Sequence, residues 1–403
     1  MPEKVVVRSL YKVFGAQPAQ AMDLLRQGRS KDEIFHQTGM VVGVKDASFS
    51  VDEGEIFVLM GLSGSGKSTL IRLLNRLIEP THGQVLVGGH DVAAMGRKAL
   101  VDLRRRDMAM VFQSFALLPH RTVLDNTAFG LEVAGVKRPV RERRAFEVLE
   151  QVGLHAFAHK RPSELSGGMQ QRVGLARALA VDPSLMLMDE AFSALDPLKR
   201  TEMQELLLQL QKNHRRTIVF VSHDLDEAFR IGNRIAIMEG GRIVQIGTPD
   251  EILRNPSDEY VRAFFKGVDV KKYLVARDLA SAAAFPVLQP TLDGRSDLVR
   301  ASSQLNSDGQ WQAFVVEVGG RLLGTVTRES VAQAVAVGGT SLVGAMVRDS
   351  AAVPADLALN ALVGRVVRSP LALAVVDAAG NYLGAVTQSQ LLLRFAENEE
   401  PHV

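Results

Sequence analysis

The chain has 403 residues, more than one compact core usually holds, so two or three domains are expected. Its net charge is only +2, and the acidic part lies at the C-terminus, where residues 275–403 hold 9 Arg, no Lys and 12 Asp and Glu. This distribution argues against a nucleic-acid-binding protein, which would concentrate Lys and Arg on one face. The absence of cysteine excludes disulfides, cysteine–zinc sites and a thiol nucleophile, and the absence of any run of about 18 apolar residues argues against a membrane-spanning helix.

The first 60 residues predict two strands that enclose a helical segment, followed by a buried strand. Residues 1–14 are apolar and rich in β-branched side chains. Residues 17–39 are helical in character, with a capping-box pattern at Ser30–Glu33 and a glycine stop at Gly39. Alternation then resumes over residues 42–60, which end in the continuous apolar run EIFVLM. Such a run is typical of a central strand that is buried on both faces.

From this strand to about residue 250, short apolar strands alternate with helical patterns. The strands are AMVF, LMLM, TIVFVS and RIAIM. This alternation predicts an α/β fold class with a layered architecture.

The segment after residue 274 repeats itself and predicts a separate domain, 275–403. Residues 313–335 parallel residues 372–394, and each copy reads as strand, glycine-containing turn, strand and helix. Two copies are too few for a solenoid. The sequence therefore predicts a pseudo-symmetric pair, with copies at about 279–336 and 344–397.

A phosphate-binding loop is predicted directly after EIFVLM and before the helical run LIRLLNRL. Glycines there let backbone N–H groups point at phosphates, and the helix N-terminus adds positive potential. Lys67 is expected to reach the β- and γ-phosphates of ATP, and Ser68 to bind Mg²⁺. A Gly/Ser-rich turn into a helix is the alternative. The predicted nucleotide contacts are Gly61, Ser63, Gly64, Ser65, Gly66, Lys67, Ser68 and Thr69.

An acidic pair follows the apolar run LMLM. Asp189 is expected to hold Mg²⁺ through water, and Glu190 to polarise the water that attacks the γ-phosphate. An acidic turn at the end of a strand is the alternative. Downstream of a phosphate-binding loop, the pair predicts an ATP-hydrolysing site.

Four further motifs complete an ordered set. They are Gln113 in MVFQSF, Leu165–Gln171 before RVGLARAL, Ser193–Asp196, and Val221–Asp224 after the strand TIVF. Over about residues 1–270, this set resembles the nucleotide-binding subunit of an ATP-binding-cassette (ABC) transporter. The resemblance implies a helical subdomain at about 114–170.

The resemblance also implies roles for individual residues. Phe14 would stack on adenine, and Gln113 would contact the metal or the water and sense a membrane subunit. His223 would contact the γ-phosphate, although a histidine with satisfied hydrogen bonds at a strand end is the alternative. Asp196 would lie at a dimer interface. The residues expected to complete the site of a second copy, head to tail, are Ser166, Gly167, Gly168 and Gln170.

Three features are similar to the ATPase subunits of glycine betaine/proline betaine importers. They are the helical insertion at about 15–41, the runs at 61–81 and 110–132, and the C-terminal repeat, which resembles a tandem cystathionine-β-synthase-type (CBS) pair. The resemblance implies a homodimer that binds ATP and Mg²⁺ and lies at the cytoplasmic face of the membrane. It also implies a separate permease, docked near residues 114–135, and indirectly a substrate-binding protein. A choline or carnitine importer, or a soluble ABC ATPase outside transport, is the alternative.

The C-terminal repeat departs from CBS pairs that bind adenosine nucleotides. Such pairs usually place an Asp where this chain has Ser330 and Gln390. An adenosine ligand is therefore doubtful here, and a structural or dimerising module is at least as well supported. Osmotic regulation stays a hypothesis that the family resemblance carries.

Overall fold

The structure, a computed structural model, describes residues 2–265, 272–291, 294–307, 310–339, 341–347 and 352–396. Contacts divide the chain into two compact units, Met1–Lys266 and Gly267–Val403. This division lies slightly before the boundary predicted at 274/275. Within the described ranges, no helix combines the length and the apolar character needed to cross a membrane.

The first unit contains two sheets and eleven α-helices within its described residues. Its strands are β1 (Glu3–Phe14), β2 (Val41–Asp52), β3 (Ile56–Met60), β4 (His82–Val87), β5 (His90–Asp91), β6 (Met108–Phe112), β7 (Leu185–Asp189), β8 (Thr217–Ser222), β9 (Arg234–Glu239) and β10 (Arg242–Gly247). Its helices are α1 (Pro18–Arg26), α2 (Lys31–Thr38), α3 (Lys67–Leu74), α4 (Arg97–Arg106), α5 (Val123–Val133), α6 (Arg138–Gln151), α7 (Gly167–Ala180), α8 (Pro197–Asn213), α9 (Leu225–Ile231), α10 (Pro249–Arg254) and α11 (Glu259–Ala263).

The smaller sheet is antiparallel, in the order β2-β1-β4-β5, and α1 and α2 form the predicted insertion between its first two strands. The capping box of Ser30 and Glu33 is present at the start of α2. Gly39 ends the helix with a left-handed φ of 70°, which glycine adopts at little cost. The local signals in the sequence were therefore sufficient to place this helix.

The larger sheet has the order β10-β9-β3-β8-β7-β6, and all its strands are parallel except β10. Every residue of β3, β7 and β8 is buried, as their continuous apolar runs predict. The core lies between the two sheets, where the rings of Phe49 and Phe57 stack with centroids 5.1 Å apart. Because these strands are parallel, their carboxyl ends meet at one edge, which is where α/β proteins bind ligands.

A helical region packs beside the larger sheet. Helix α5 contacts both α6 and α7. Helix α7 begins inside the segment predicted as a helical subdomain, 114–170, and continues to Ala180. The N-terminus of α7 carries the Leu-Ser-Gly-Gly motif, so this motif stands at the start of a helix.

The second unit contains two three-stranded sheets, ordered β11-β12-β13 and β14-β15-β16. The strands are β11 (Val287–Leu288), β12 (Gln312–Val316), β13 (Leu322–Thr327), β14 (Ala352–Pro354), β15 (Leu373–Val376) and β16 (Tyr382–Val386). The helices are α12 (Ala276–Leu279), α13 (Gly294–Ser307), α14 (Arg328–Ala336), α15 (Leu359–Arg368) and α16 (Gln388–Ala396). Each copy of the repeat thus forms strand, turn, strand and helix. The predicted end of the second copy, residue 397, lies outside the described residues.

The two copies share an interface inside this unit. The buried amide of Gln312 donates to the Ala372 carbonyl and accepts from the Ala372 N–H, both at 2.9 Å. The rings of Phe314 and Tyr382 lie 5.0 Å apart in the same interface. The repeat is therefore one packed body.

Candidate functional site

The phosphate loop connects β3 to α3 at the carboxyl edge of the larger sheet. Gly61, Gly64 and Gly66 all have positive φ, from 77° to 156°. A Cβ on Gly66 would overlap the Gly43 carbonyl oxygen, so only glycine fits there. No side chain caps the start of α3. The N–H groups of the first turn therefore remain for an anionic ligand.

Lys67 is only 5% exposed, and its Nζ donates to the carbonyls of Gly61 at 2.8 Å and Leu62 at 3.0 Å. Burial lowers the pKa of Lys67, while the carboxylates of Glu190 and Asp189 act in the opposite direction. A phosphate at this point would supply a stronger anionic partner than two carbonyls. The arrangement thus fits an ammonium that reaches a nucleotide.

Two buried oxygens at this edge have no hydrogen-bond partner among the described residues: Ser65 Oγ and Asp189 Oδ1. The other carboxylate oxygen, Asp189 Oδ2, accepts from Arg72 at 3.0 Å. Buried polar atoms without partners are rare and call for a ligand. Hydroxyl and carboxylate oxygens are the donors that Mg²⁺ prefers. The free oxygen of Asp189 therefore fits a Mg²⁺ ion that accompanies ATP, and the role of Ser68 toward that ion stays a prediction.

Glu190 follows Asp189 in a strained backbone conformation, with φ of +47°. Its backbone is held on both sides, since its N–H donates to Val221 O at 3.2 Å and its carbonyl accepts from Ser193. Glu190 Oε2 lies 3.5 Å from His223 Nδ1. Strain of this kind clusters at functional sites. The structure thus brings together the carboxylate and the imidazole that the sequence placed in one site.

A buried polar network beneath His223 was not predicted from the sequence. Ser222 Oγ donates to Glu227 at 2.5 Å, and Gln204 donates to the other oxygen of Glu227 at 3.2 Å. Burial raises the pKa of Glu227, and the bonds from Ser222 and Gln204 oppose that shift. Asp224 caps α9 and accepts from Arg200 at 2.8 Å. Both neighbours of His223 are therefore fixed.

Phe14 lies beside the start of α3. A Cβ on Gly43 would lie 2.8 Å from the Phe14 ring and 3.4 Å from the methyl group of Thr69. The ring is 39% exposed, and the Lys12 ammonium lies 5.0 Å from its centroid. An exposed aromatic face next to a phosphate loop is suited to stacking on a base.

Gln113 follows β6 and is exposed. Three residues later, Ala116 has a left-handed φ of 48°. The side chain of Arg177, on α7, donates to the carbonyls of Ala116 at 2.6 Å and Phe115 at 3.3 Å. The segment after Gln113 is thus held to the helix that carries the Leu-Ser-Gly-Gly motif.

The residues of this motif contact neighbours other than the phosphate loop of their own chain. Ser166 caps α7, and its Oγ accepts from Met169 at 3.4 Å. The Cα positions of Gly167 and Gly168 face Phe115 and Lys199.

Two further predicted nucleotide contacts, Gln170 and Asp196, make local bonds. The Gln170 amide donates to the carbonyls of Pro162 and Leu165, which fixes the turn before α7. Asp196 caps α8 by accepting from Lys199 N at 3.0 Å. Their roles toward a nucleotide stay predictions.

In the second unit, Ser330 and Gln390 close the starts of their own helices. Ser330 Oγ accepts from Thr327 N at 2.9 Å, and Gln390 Oε1 accepts from Thr387 N at 2.8 Å. Each side chain thus replaces the expected carboxylate with a neutral group that is already engaged.

Comparison with known proteins identifies the family of the chain. The family model described as ABC transporter matches residues 44–193. The chain is 55% identical over 337 residues to the glycine betaine/proline betaine transport system ATP-binding protein ProV of Escherichia coli (strain K12), with 83% of each chain covered. It is 55% identical over 282 residues to the glycine betaine transport ATP-binding protein OpuAA of Bacillus subtilis (strain 168), which covers 70% of this chain and 68% of that one.

Among solved structures, the chain resembles an ATP-binding cassette in a dimeric, post-hydrolysis state bound to ADP and Pi. The TM-score is 0.52 at 30% identity, over 61% of this chain and 98% of the other. The fold and these matches define an ATP-binding-cassette ATPase.

More narrowly, the chain belongs to the family of glycine betaine/proline betaine transport ATP-binding subunits, and it is an ATP-binding subunit of an import system. This family membership argues against the alternative of an ABC ATPase outside transport.

Proposed function

We propose that the chain binds ATP with Mg²⁺ at the carboxyl edge of β3, β8 and β7 and hydrolyses it there. One observation carries the proposal: Lys67, Asp189, Glu190 and His223 all follow or end these three adjacent strands. The 3.5 Å between Glu190 and His223 brings a proton acceptor next to a γ-phosphate contact.

Each side chain has a distinct task in this proposal. Lys67 leaves the carbonyls of Gly61 and Leu62 to neutralise the β- and γ-phosphates. Glu190 orients a water and accepts its proton as the new P–O bond forms and the bond to the ADP oxygen breaks. Ser68 and Asp189 would hold Mg²⁺, which supplies charge neutralisation for the phosphates.

Replacing Glu190 by Gln tests the role of the carboxylate. The substitution keeps the side-chain shape but removes the proton acceptor, so we expect turnover to fall at least about 10²-fold while ATP still binds. Phosphate release and ATP titration are the measurements. Glu205→Gln is the control, because Glu205 pairs with Arg230 on the surface at 2.8 Å. Hydrolysis at the normal rate by Glu190→Gln would reject the assignment.

A second copy of the chain is proposed to complete each site. The start of α7 bears the Leu-Ser-Gly-Gly motif but faces Phe115 and Lys199 in its own chain. A helix start with glycines is suited to bind phosphate. Because this one does not face the phosphate loop of its own chain, we propose that it contacts the nucleotide bound by a second copy. The dimeric cassette among the solved structures supports this arrangement. The Glu190→Gln variant should therefore accumulate as an ATP-bound dimer in size-exclusion chromatography, and a monomer at saturating ATP would argue against it.

The permease is proposed to dock in a cavity of about 400 Å³ between α4, β6, α5 and α7. Its lining is mainly apolar, with Met110, Phe129 and Val133 among the residues, and it includes three arginines. Arg177 is one of them, and it also holds the segment after Gln113. A partner helix in this cavity would thus touch the group that positions that segment.

A charged substitution in this cavity tests whether the permease docks there. Val133→Arg should abolish copurification with the permease and leave the ATPase activity of the isolated chain unchanged, because Val133 lines the cavity and is 47% exposed. Val140→Arg is a matched control, since Val140 is equally exposed but lies outside the cavity. Normal copurification of the Val133 variant would contradict the docking surface.

The cargo is proposed to be glycine betaine or proline betaine, because the curated relatives are named for these solutes. A substrate-binding protein would deliver the solute, and binding to the permease would hold the chain at the cytoplasmic face of the membrane. Choline and carnitine are the competing cargoes. Uptake of labelled glycine betaine that excess choline or carnitine suppresses better than unlabelled betaine would overturn the assignment.

The second unit is proposed to be a CBS-type pair that adjusts activity to osmotic conditions. Its duplicated strand–turn–strand–helix copies support this proposal. The engaged side chains of Ser330 and Gln390 argue against an adenosine ligand. Deletion of residues 275–403 should remove the salt dependence of transport in vesicles, and unchanged salt dependence would reject a regulatory role.

A further inference from the structure

The last helix of the first unit, α11, reaches the phosphate loop through one hydroxyl group. Tyr260 Oη donates to the backbone carbonyl of Met238, at the end of β9, at 3.1 Å. Burial raises the pKa of Tyr260, and the backbone amide of Leu62 acts against that shift. The hydroxyl therefore lies between strand β9 and the first turn of the phosphate loop.

The Met238 carbonyl in turn lies directly against Gly61. A Cβ on Gly61 would overlap this carbonyl oxygen and crowd Ser65 Oγ. The carbonyl of Gly61 accepts from Lys67 at 2.8 Å. Tyr260, Met238, Gly61 and Lys67 thus form one continuous series of contacts that ends at the ammonium group for the phosphates.

The turn after β9 holds the loop at a second point. Gly241 N donates to Ser65 O at 3.0 Å, and Lys45 N donates to Gly241 O at 2.7 Å. The β9 end is therefore attached to both sides of the phosphate loop. A shift of Met238 relative to Gly241 would change the shape of the loop.

Helix α11 is itself well anchored in the first unit. Val261 is fully buried, and Asp258 caps the helix by accepting from Val261 N at 2.9 Å. The Tyr260 and Phe264 rings meet edge to face at 5.2 Å, and Phe265 meets Phe229 at 6.0 Å. The unit ends shortly after this helix, at Lys266. The chain that continues into the second unit thus leaves from α11.

We propose that Tyr260 is a positioning residue for ATP binding: it holds the first turn of the phosphate loop through the Met238 carbonyl. The affinity for ATP then depends on the position of α11, because that position sets the contact between Tyr260 and the Met238 carbonyl. This inference rests on the proposed role of residues 61–69 as the phosphate loop.

Tyr260→Phe tests the hydroxyl alone, since the ring contact with Phe264 is kept. We expect the Kd and KM for ATP to rise about five-fold, as for a lost hydrogen bond of about 1 kcal/mol, with kcat changed less than two-fold. Amide exchange over residues 61–66 should become faster. Tyr11→Phe is the matched control, because the hydroxyl of Tyr11, in β1, bonds to the side chain of Asp46, and it should change none of these quantities. Unchanged ATP affinity in Tyr260→Phe, or an equal change in Tyr11→Phe, would overturn the proposal.

A second measurement needs no variant. Coupling between two sites is reciprocal, so ATP binding should slow amide exchange in α11, residues 259–263, of the unmodified protein. No change in α11 would overturn the proposal even if the variant failed to fold. Lys67→Ala distinguishes failure of the phosphate-loop assignment from failure of the positioning role of Tyr260. If Lys67→Ala loses ATP binding while Tyr260→Phe does not, only the positioning role fails; if Lys67→Ala keeps ATP binding, the phosphate loop itself is wrongly assigned.

Discussion

The two units contain strand-to-helix junctions that share a topology but differ in chemistry. In the first unit, Gly66 directly precedes α3, no side chain caps the helix, and the loop before it is shaped by glycines with positive φ. In the second unit, Thr327 directly precedes α14 and caps it, because its Oγ1 accepts from Ser330 N at 3.1 Å. Helix α16 repeats this pattern, with Thr387 Oγ1 accepting from Gln390 N at 3.1 Å.

The difference shows where a fold leaves room for an anion. Each helix start has N–H groups without a partner inside the helix. At α14 and α16, where Thr, Ser and Gln satisfy these groups, the helix is stable without a ligand. Where glycine stands instead, the groups stay available, and the unsatisfied Ser65 Oγ nearby adds to the demand for a ligand. The presence or absence of a side-chain cap thus distinguishes the start of α3, which is open to a ligand, from the starts of α14 and α16, which are closed.

Blocking the uncapped start of α3 with a side chain should have the largest effect on ATP affinity. Gly66→Ala forces a side chain onto a φ of 102° and against the Gly43 carbonyl. We expect ATP affinity to fall at least about 10²-fold, because strain of about 1–3 kcal/mol adds to the displaced backbone. ATP titration by calorimetry measures this loss.

A second glycine separates strain from site geometry. Gly135 also has a positive φ, 77°, but a Cβ there would meet nothing within 4 Å. Gly135→Ala should therefore lower stability slightly and leave ATP affinity unchanged. Equal losses of ATP affinity in the two variants would show that strain anywhere in the unit, and not the shape of this junction, controls binding.

Much of the site was predictable because its signals are local in sequence. The glycines before Lys67, the acidic pair after an apolar strand and the capping box at Ser30 each lie within a few residues, where spacing dictates geometry. Contacts that depend on tertiary packing gave no such signal. The pairing of Arg72 with Asp189 spans 117 positions, and the Arg177 bonds to Phe115 and Ala116 link different elements.

The junction between β8 and α9, next to His223, combines features of both kinds of junction. Asp224 caps the helix, as Thr327 and Thr387 do, but the ionisable side chain of Glu227 is buried beneath it. Burial raises the pKa of Glu227. Folding thus favours the protonated acid, and its contribution to stability is present below the unfolded-state pKa and is lost as pH rises through the folded-state pKa.

Glu227→Gln removes this titration but keeps hydrogen-bonding capacity toward Ser222 and Gln204. We expect the variant to be more stable than the unmodified protein at pH 8, with the difference shrinking toward pH 4. Thermal unfolding across this pH range is the measurement. A gain in stability that is independent of pH would rule out titration of Glu227 as its source.

The smallest effect is expected at the capped junctions. Thr327→Val removes the hydroxyl that accepts from Ser330 N, and Thr387→Val removes its counterpart at Gln390 N. Each should lower the stability of the second unit by about 1 kcal/mol, the usual contribution of such a cap, and leave ATP affinity unchanged. Calorimetric unfolding that resolves the two units, with ATP titration alongside, measures both quantities. Because the two junctions are equivalent in the repeat, their losses should match within error. A loss confined to one of them would mean that this junction alone has a further role, and that the symmetry of the strand–turn–strand–helix copies does not extend to how their helices are stabilised.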